Sequence, residues 1–425
     1  MAGKSTSIAA LSLALMTGTD PIQAKEPVNG HWVTSWYAAP QPAWNAQFIL
    51  PMNVPATIDN QSVRETVRLS AGGHRVRLVF SNRYGGDAVA IGEVRIGPGR
   101  DAGSPRLLTF SGKTAASIAP GAVLTSDPLV LDVAPLSELT VSSYLPVSTT
   151  ISSFHWGAQQ TLSMTHGNAA AARRFPSSAT TIGARLFLNA VMVDGVEGGR
   201  TVVVLGDSIT DGNGSTPDAN RRWPDVLAER LAARGIGVAN AGISGARLLK
   251  PGMGHSALAR FEQDVLAQPG VSDVIVLLGT NDIGWPGSPF APQERAVTLD
   301  ELTDGLRQLA SAAHARNIRI TAGTLPPFEG ALEGTPYAGH YSQSKETLRS
   351  RLNHWIRTAG EFDAVADFDA VLRDPARPQR LRAAFDSGDH LHPGDAGYRA
   401  MAAAIDIELL AARARPPGDG EAAAR

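Results

Sequence analysis

The chain contains no cysteine. A thiol nucleophile, a disulfide staple and a thiolate metal site are therefore excluded, while the compartment is left open. An excess of one charge is missing too: 38 Lys and Arg stand against 40 Asp and Glu, a formal net charge of −2. With no basic run either, the electrostatic footprint of a nucleic-acid binder is absent. Beyond the N-terminus no segment is long and apolar enough for a membrane span. What is present, 43% hydrophobic and 18% charged residues, describes a globular chain and not a disordered one. Its 425 residues exceed one ordinary core, so two domains are expected.

The texture along the chain divides it. Lys4, the short apolar run Ile8 to Met16 and Ile22-Gln23-Ala24 before Lys25 read as a secretory signal peptide over residues 1–24, which predicts an exported protein, periplasmic or secreted. Residues 30–196 carry the punctuation of β structure. His74 to Phe80 alternates polar and apolar residues, and Ala88 to Ile96 and Leu139 to Leu145 are similar. Turn-rich pieces such as Gly97-Pro98-Gly99 separate them, and helix signals are lacking. This predicts an all-β sandwich or jelly-roll domain.

Over residues 198–412 strands alternate with amphipathic helices. Strands are expected at Val202–Leu205, Val238–Asn240, Val274–Leu278, Ile318–Thr321 and Ala364–Ala366. Thr298 and Glu301 have capping-box spacing, followed by Leu302, Leu306, Leu309 and Ala313 on one helical face. Pro224 suits the first turn of a helix running to about Arg234, and a last helix carries Met401, Ile405 and Leu409. Such alternation predicts a doubly wound parallel sheet between helix layers, an α/β/α domain. The tail, 413–425, reads as disordered.

Four short blocks carry the chemistry: Gly206-Asp207-Ser208, Asn240-Ala241-Gly242, Gly279-Thr280-Asn281-Asp282, and Asp389-His390-Leu391-His392-Pro393. The first three each follow an expected strand, so their loops open on one sheet edge, where open α/β sheets bind ligands. Acyl transfer needs an activated hydroxyl, a base, a group to orient the base, and donors for the oxyanion. Ser208 suits the nucleophile and His392 the base, with Asp389 three residues earlier to hold the imidazole. The N–H groups of Ser208 and Gly242 and the side-chain amide of Asn281 suit the oxyanion hole, a glycine at 242 allowing close approach of substrate.

These blocks resemble the SGNH hydrolases, the GDSL esterase family, over roughly Arg200 to Ile407. The resemblance implies a flavodoxin-like α/β/α fold, with catalytic Ser208, His392 and Asp389 and oxyanion donors at Ser208, Gly242 and Asn281. It implies no metal and no cofactor. Trp32 to Trp36 ahead of a β domain is similar to the front of secreted two-domain members. Two neighbouring families are set aside. An α/β-hydrolase would need Gly-x-Ser-x-Gly, where Thr210 takes the second glycine's place. A zinc deacetylase would need a cluster of His and carboxylate ligands.

Plainer readings compete at each position. Ser208 also suits a helix cap, Gly242 a turn glycine, and Asn281 a brace for its own loop. His390 shares the loop with His392, but one residue from Asp389 it is poorly aimed. His255, His314, His340 and His354 read as exposed or core-satisfied, with contact to substrate a second reading for His340, which lies in a Gly-, Pro- and Tyr-rich loop. Asp207 and Asp282 invite a Mg²⁺ site, yet the simpler expectation is a hydrogen bond to backbone in its own loop for each. Arg260 and Asp264 read as a surface or interdomain pair. The Gly- and Pro-rich loop Ile283 to Thr298, with Trp285 and Phe290, is expected to wall the cleft.

The expectation is thus a serine ester hydrolase acting on short acyl, especially acetyl, esters of carbohydrate. The partner is a small-molecule or glycan ester; nothing in the sequence bears on oligomeric state. A lipase or arylesterase, an acyltransferase with the same triad, a glycan-binding protein with a vestigial hydrolase half, and a flavodoxin-like nucleotide binder stay open as alternatives.

Overall fold

Four consecutive apolar residues, Val202 to Leu205, are all fully buried. A strand covered on both faces has no polar side, which is why it reads as an unbroken apolar run. The computed structural model describes residues 31–194 and 198–412; the expected signal peptide and tail lie outside them.

Among the described residues every regular element before residue 195 is a strand. Two antiparallel sheets dominate. The first holds β1 (Val33–Tyr37) beside Leu188–Asp194, Gly73–Ser81 and Val123–Thr125, with Leu129–Val133 also on Gly73–Ser81. The second runs Thr180–Ile182, Leu162–His166, Gln61–Arg68, Glu138–Leu145, Val94–Pro98 and Arg106–Leu107. Alternate residues such as Val76, Leu78, Phe80, Leu139 and Val141 fill one apolar core, as the period of two requires. The run Ala88 to Ile96 is two strands, Val89–Ile91 and Val94–Pro98, broken at Gly92-Glu93.

The second half is a five-stranded sheet with helices on both faces. Its strands are β2 (Arg200–Gly206), β3 (Ile236–Gly242), β4 (Val271–Leu277), β5 (Arg319–Gly323) and β6 (Ala364–Ala366), in spatial order β3-β2-β4-β5-β6 and all parallel. That is the flavodoxin-like order, in which the first strand lies between the second and third. The helices include α1 (Ser208–Asp211), α2 (Trp223–Leu231), α3 (Ala257–Phe261), α4 (Thr280–Gly284), α5 (Leu299–His314) and α6 (Gln343–Thr358). The capping box forms as the spacing predicts: Glu301 N–H donates to Thr298 Oγ1 (3.2 Å) and Thr298 N–H to Glu301 Oε2 (2.8 Å). Its expected apolar face is buried. The single last helix is instead two, Asp395–Ala403 and Ile407–Ala411. Asp406 breaks the run by capping the second, and Leu410, not Leu409, is the residue buried there.

The halves share a seam. All five residues of β1 are buried. Its end and the two residues after it alternate between two cores, Trp36 and Ala38 lying in that of the β half, Tyr37 and Ala39 in that of the α/β half. Thr34 N–H donates to Thr201 Oγ1 (3.0 Å), and Val238 N–H to Ser70 Oγ (2.8 Å).

Arg260 and Asp264 lie inside this seam, each about 1% exposed, which removes the surface reading. Arg260 donates to Asp264 (2.8 Å), to Ala241 O (2.7 Å) and to Gly206 O (3.0 Å), while Tyr37 Oη donates to Asp264 (2.8 Å). Arg260→Ala would leave a buried carboxylate short of its counter-charge, which costs about 3–5 kcal/mol in comparable pairs. Urea unfolding should show a loss of that size; a change below about 1 kcal/mol would mean that Asp264 is compensated by other groups.

Candidate active site

Ser208 is the first residue of α1, directly past β2. Asp207 caps this single turn by accepting Ile209 N–H (3.0 Å), and Gly212, in the left-handed region, closes it with a bond to Ser208 O (2.8 Å). The serine is thus presented on a tight strand-to-helix turn at the carboxyl edge of the sheet, and stays only 7% exposed.

The loop ahead of Asp395–Ala403 meets it there. His392 Nε2 lies 2.8 Å from Ser208 Oγ, and His392 Nδ1 lies 2.5 Å from Asp389 Oδ2. Asp389 Oδ1 accepts the N–H groups of Leu391 (2.9 Å) and His392 (2.8 Å), so the turn between the two side chains is itself fixed. His390 turns away and pairs with Asp386 (2.5 Å). Burial alone would raise the Asp389 carboxyl; the hydrogen bond and charge of His392, with the two N–H groups, outweigh it and hold the group well below the usual carboxylate range.

The oxyanion side requires a correction. Gly242 N–H already donates to Asn240 Oδ1 (2.9 Å). A Cβ at 242 would stand 2.4 Å from Asp211 N, so this glycine admits the backbone of α1 against the end of β3, not a substrate. Gly245, which sequence reasoning passed over, is left-handed (φ +68°). Among the described residues neither its N–H nor that of Ser208 donates to a protein acceptor. The stretch Asn240 to Gly245 holds both glycines, and only the dihedral and the hydrogen bond tell them apart. Asn281, on α4, donates one amide hydrogen to Ala246 O (3.0 Å) and keeps the other. It therefore braces the Gly245 loop, a neighbour's and not its own.

The acidic neighbours behave as braces. Asp282 accepts Leu248 N–H (2.7 Å) and Leu249 N–H (3.0 Å), again from the neighbouring loop and not its own, as had been expected. Burial raises its carboxyl and pushes that of Asp207 up to about 7. His340 is buried against Gly284 with no hydrogen-bond partner for either ring nitrogen among the described residues, so it is not satisfied as expected. Burial, aided by the charge of Lys345, pushes it down to about 3.

A series of aromatic rings runs out from the Gly245 loop. Trp285, one turn beyond Asn281, packs against Gly245, where a Cβ would stand 3.0 Å from its ring. It stacks on Phe290 (4.9 Å) and meets Phe48 of the β half (6.4 Å). Phe290 continues to Tyr337 (5.7 Å), and Phe48 to Trp44 (5.3 Å) and thence Trp156 (6.2 Å).

Because the folded state depresses Asp389, it binds fewer protons than the unfolded chain at acid pH, and the resulting stability, present above about pH 4, is lost as pH falls below it. Asp389→Asn should therefore flatten the acid limb of stability relative to the parent, read as melting temperature between about pH 5 and pH 3. Parallel curves would show that Asp389 is not held as a carboxylate by His392.

Comparison with known proteins follows the geometry. Residues 204–400 match the family described as GDSL-like lipase/acylhydrolase. No curated protein matches the chain. Among solved structures, the chain is similar to a GDSL-like lipase from Bacteroides thetaiotaomicron at 20% identity, covering 50% of this chain and 87% of that one, with a TM-score of 0.36. It is also similar to a variant of an acetyl xylan esterase from Geobacillus stearothermophilus at 25% identity, covering 48% and 92%, with a TM-score of 0.36. Residues 204–400 thus carry a GDSL-like lipase/acylhydrolase domain, which supports a carboxylic ester hydrolase.

Proposed function

We propose that the enzyme is an exported serine esterase that removes short acyl groups, acetyl above all, from carbohydrate, with Ser208, His392 and Asp389 as its triad. The observation that carries the triad is the unbroken line from Ser208 Oγ to His392 Nε2 (2.8 Å) and from His392 Nδ1 to Asp389 (2.5 Å). Ser208 Oγ attacks the ester carbonyl as His392 takes its proton, and Asp389 stabilises the imidazolium. The tetrahedral oxyanion rests on the N–H groups of Ser208 and Gly245 and on Asn281 Nδ2. His392 then gives the proton to the departing alcohol. Water, deprotonated by the same imidazole, cleaves the acyl-enzyme and regenerates Ser208.

The carbohydrate half of this reading is supported by the half-buried rings of Trp44, Phe48, Trp156, Phe290 and Tyr337, which offer flat faces of the kind sugar rings stack on. Export is supported by Lys4 and the apolar run Ile8 to Met16, and a mature protein beginning at Met1 would refute it.

Ser208→Ala should abolish hydrolysis of an acetyl ester while the protein remains folded. Asn281→Ala should reduce turnover by roughly 100- to 1,000-fold, the usual effect of removing one oxyanion donor. Full activity of the serine variant would end the triad assignment, and a loss under about fivefold at 281 would leave Asn281 a brace only. Assayed on acetyl to palmitoyl esters beside acetylated oligosaccharides, the parent enzyme should prefer the acetylated sugars. Preference for long acyl chains would favour a lipase.

A further inference from the structure

One histidine of the β half bonds the turn that bears Ser208. His155 lies on the strand Ser153–Trp156 and is 5% exposed. Its Nδ1 is 2.9 Å from Ala39 O, and its Nε2 is 3.0 Å from Asp211 Oδ1. A carbonyl oxygen only accepts, so Nδ1 carries a hydrogen. Asp211 ends α1, three residues after Ser208, and is 1% exposed. Its other oxygen, Oδ2, accepts the N–H (3.1 Å) and the Oγ–H (2.8 Å) of Ser244. Both oxygens of Asp211 are thus engaged, one by Ser244 and the other by the ring's Nε2, with one hydrogen joining Oδ1 and Nε2.

The next residue after Ser244 is Gly245, whose free N–H the proposed mechanism assigns to the oxyanion. Three pins hold this loop. Ile243 N–H donates to Gly206 O (3.1 Å), Asn281 Nδ2 donates to Ala246 O (3.0 Å), and Ser244 is held by Asp211. The first two pins come from the parallel sheet's own edge. The third is set by the β half, since Asp211 takes its direction from the ring of His155. Gly157 lies against the same spot: a Cβ there would stand 3.4 Å from Ser244 Oγ.

We infer that His155 is a positioning residue for ester hydrolysis: through Asp211 and Ser244 it aims the Gly245 N–H at the developing oxyanion and fixes the far end of the Ser208 turn. The inference rests on the oxyanion reading given above, and it makes the β half a working part of the active site. His155 touches neither substrate nor the reacting atoms, so its loss acts on the transition state and leaves ground-state binding in place. Such a loss lowers kcat with KM unchanged.

His155→Gln keeps an amide donor near the Nε2 position, and His155→Asn, one carbon shorter, does not. On a short acetyl ester, the Asn variant should lose about 10- to 100-fold in kcat with KM within about twofold, and the Gln variant should stay within about fivefold of the parent. Affinity for a boronic acid that mimics the tetrahedral state should fall in step with kcat. Thermal unfolding of both variants separates this from loss of fold. Should His155→Asn not fold, Ser244→Ala, a smaller change to the same pin, should show the same kcat-only loss. The inference is overturned if the Asn variant, or in its place Ser244→Ala, keeps parental kcat, or if Gln and Asn lose activity equally and in proportion to stability. Ser208→Ala tested alongside keeps the outcomes apart: an active serine variant defeats the mechanism itself, whereas an inactive one beside an undiminished His155→Asn defeats only the role of His155.

Discussion

Three parallel strands that stop at the same level govern everything that follows. Gly206 at the end of β2 is in register with Gly242 on one side and Leu277 on the other. Because β2 is the first strand in sequence and lies between the second and third, the chain leaves the sheet in opposite directions on its two sides, and a crevice opens at that switch point. Ser208 follows β2, the Ile243–Ala246 loop follows β3, and Asn281 follows β4. Their convergence is thus a property of strand order and register. Arg260 fixes the register chemically, since one guanidinium bonds the carbonyl oxygens of both Gly206 and Ala241. Only His392 arrives from elsewhere, and it is held by Asp389 at both backbone and side chain.

Much of this was legible before any coordinates. Strands buried on both faces declare themselves as apolar runs, and β6 lies where expected because Ala364 to Ala366 is bounded by polar residues. The choice of His392 over His390 followed from reach alone, and the pairing of His390 with Asp386 gives the other ring a separate occupation. What was not legible depends on dihedrals or on partners far away in sequence. Gly242 and Gly245 are the same residue type three positions apart, distinguished only by a positive φ and a bond to Asn240. Arg260 and Asp264 have the spacing of any surface helix pair; what buries them includes Tyr37, 227 residues before Asp264. His155 is a lone histidine on a short strand, a pattern with no signature. The last helix misleads because Met401 and Ile405 keep their period up to the break that Asp406 makes.

The carboxyl groups around Ser208 show how environment assigns different work to one functional group. Asp207 is buried, bonds a single N–H and leaves Oδ2 without a partner among the described residues, so its carboxyl rises to about 7. Asp282 receives two N–H groups, yet burial still raises it. Asp389 is less enclosed and faces an imidazole, and it alone of these three is depressed. A carboxyl that must stabilise a transient imidazolium has to be ionised whenever the reaction runs. The depression of Asp389 arises from the same contacts with His392 that the geometry shows, and it keeps the carboxyl ionised for the proposed role.

The change of texture near residue 197 marks a change in secondary-structure class and not a break in packing, for the described residues 31–194 and 198–412 belong to one compact unit. A strand exposed on one face could be detached with its sheet at little cost to its neighbour. β1 with the two residues after it cannot, because Tyr37 and Ala39 belong to the α/β core while Trp36 and Ala38 belong to the other. Removing the β half would strip apolar cover from β3, deprive Asp264 of the Tyr37 hydroxyl and leave Asp211 facing a void in place of an imidazole. The first loss weakens the fold, while the other two fall on groups that hold the ends of β2 and β3 and the turn bearing Ser208. Stability and active-site geometry are consequently tied to the same interface, so a substitution there acts on both unless, like an exchange of hydrogen-bond donors, it leaves the packing alone.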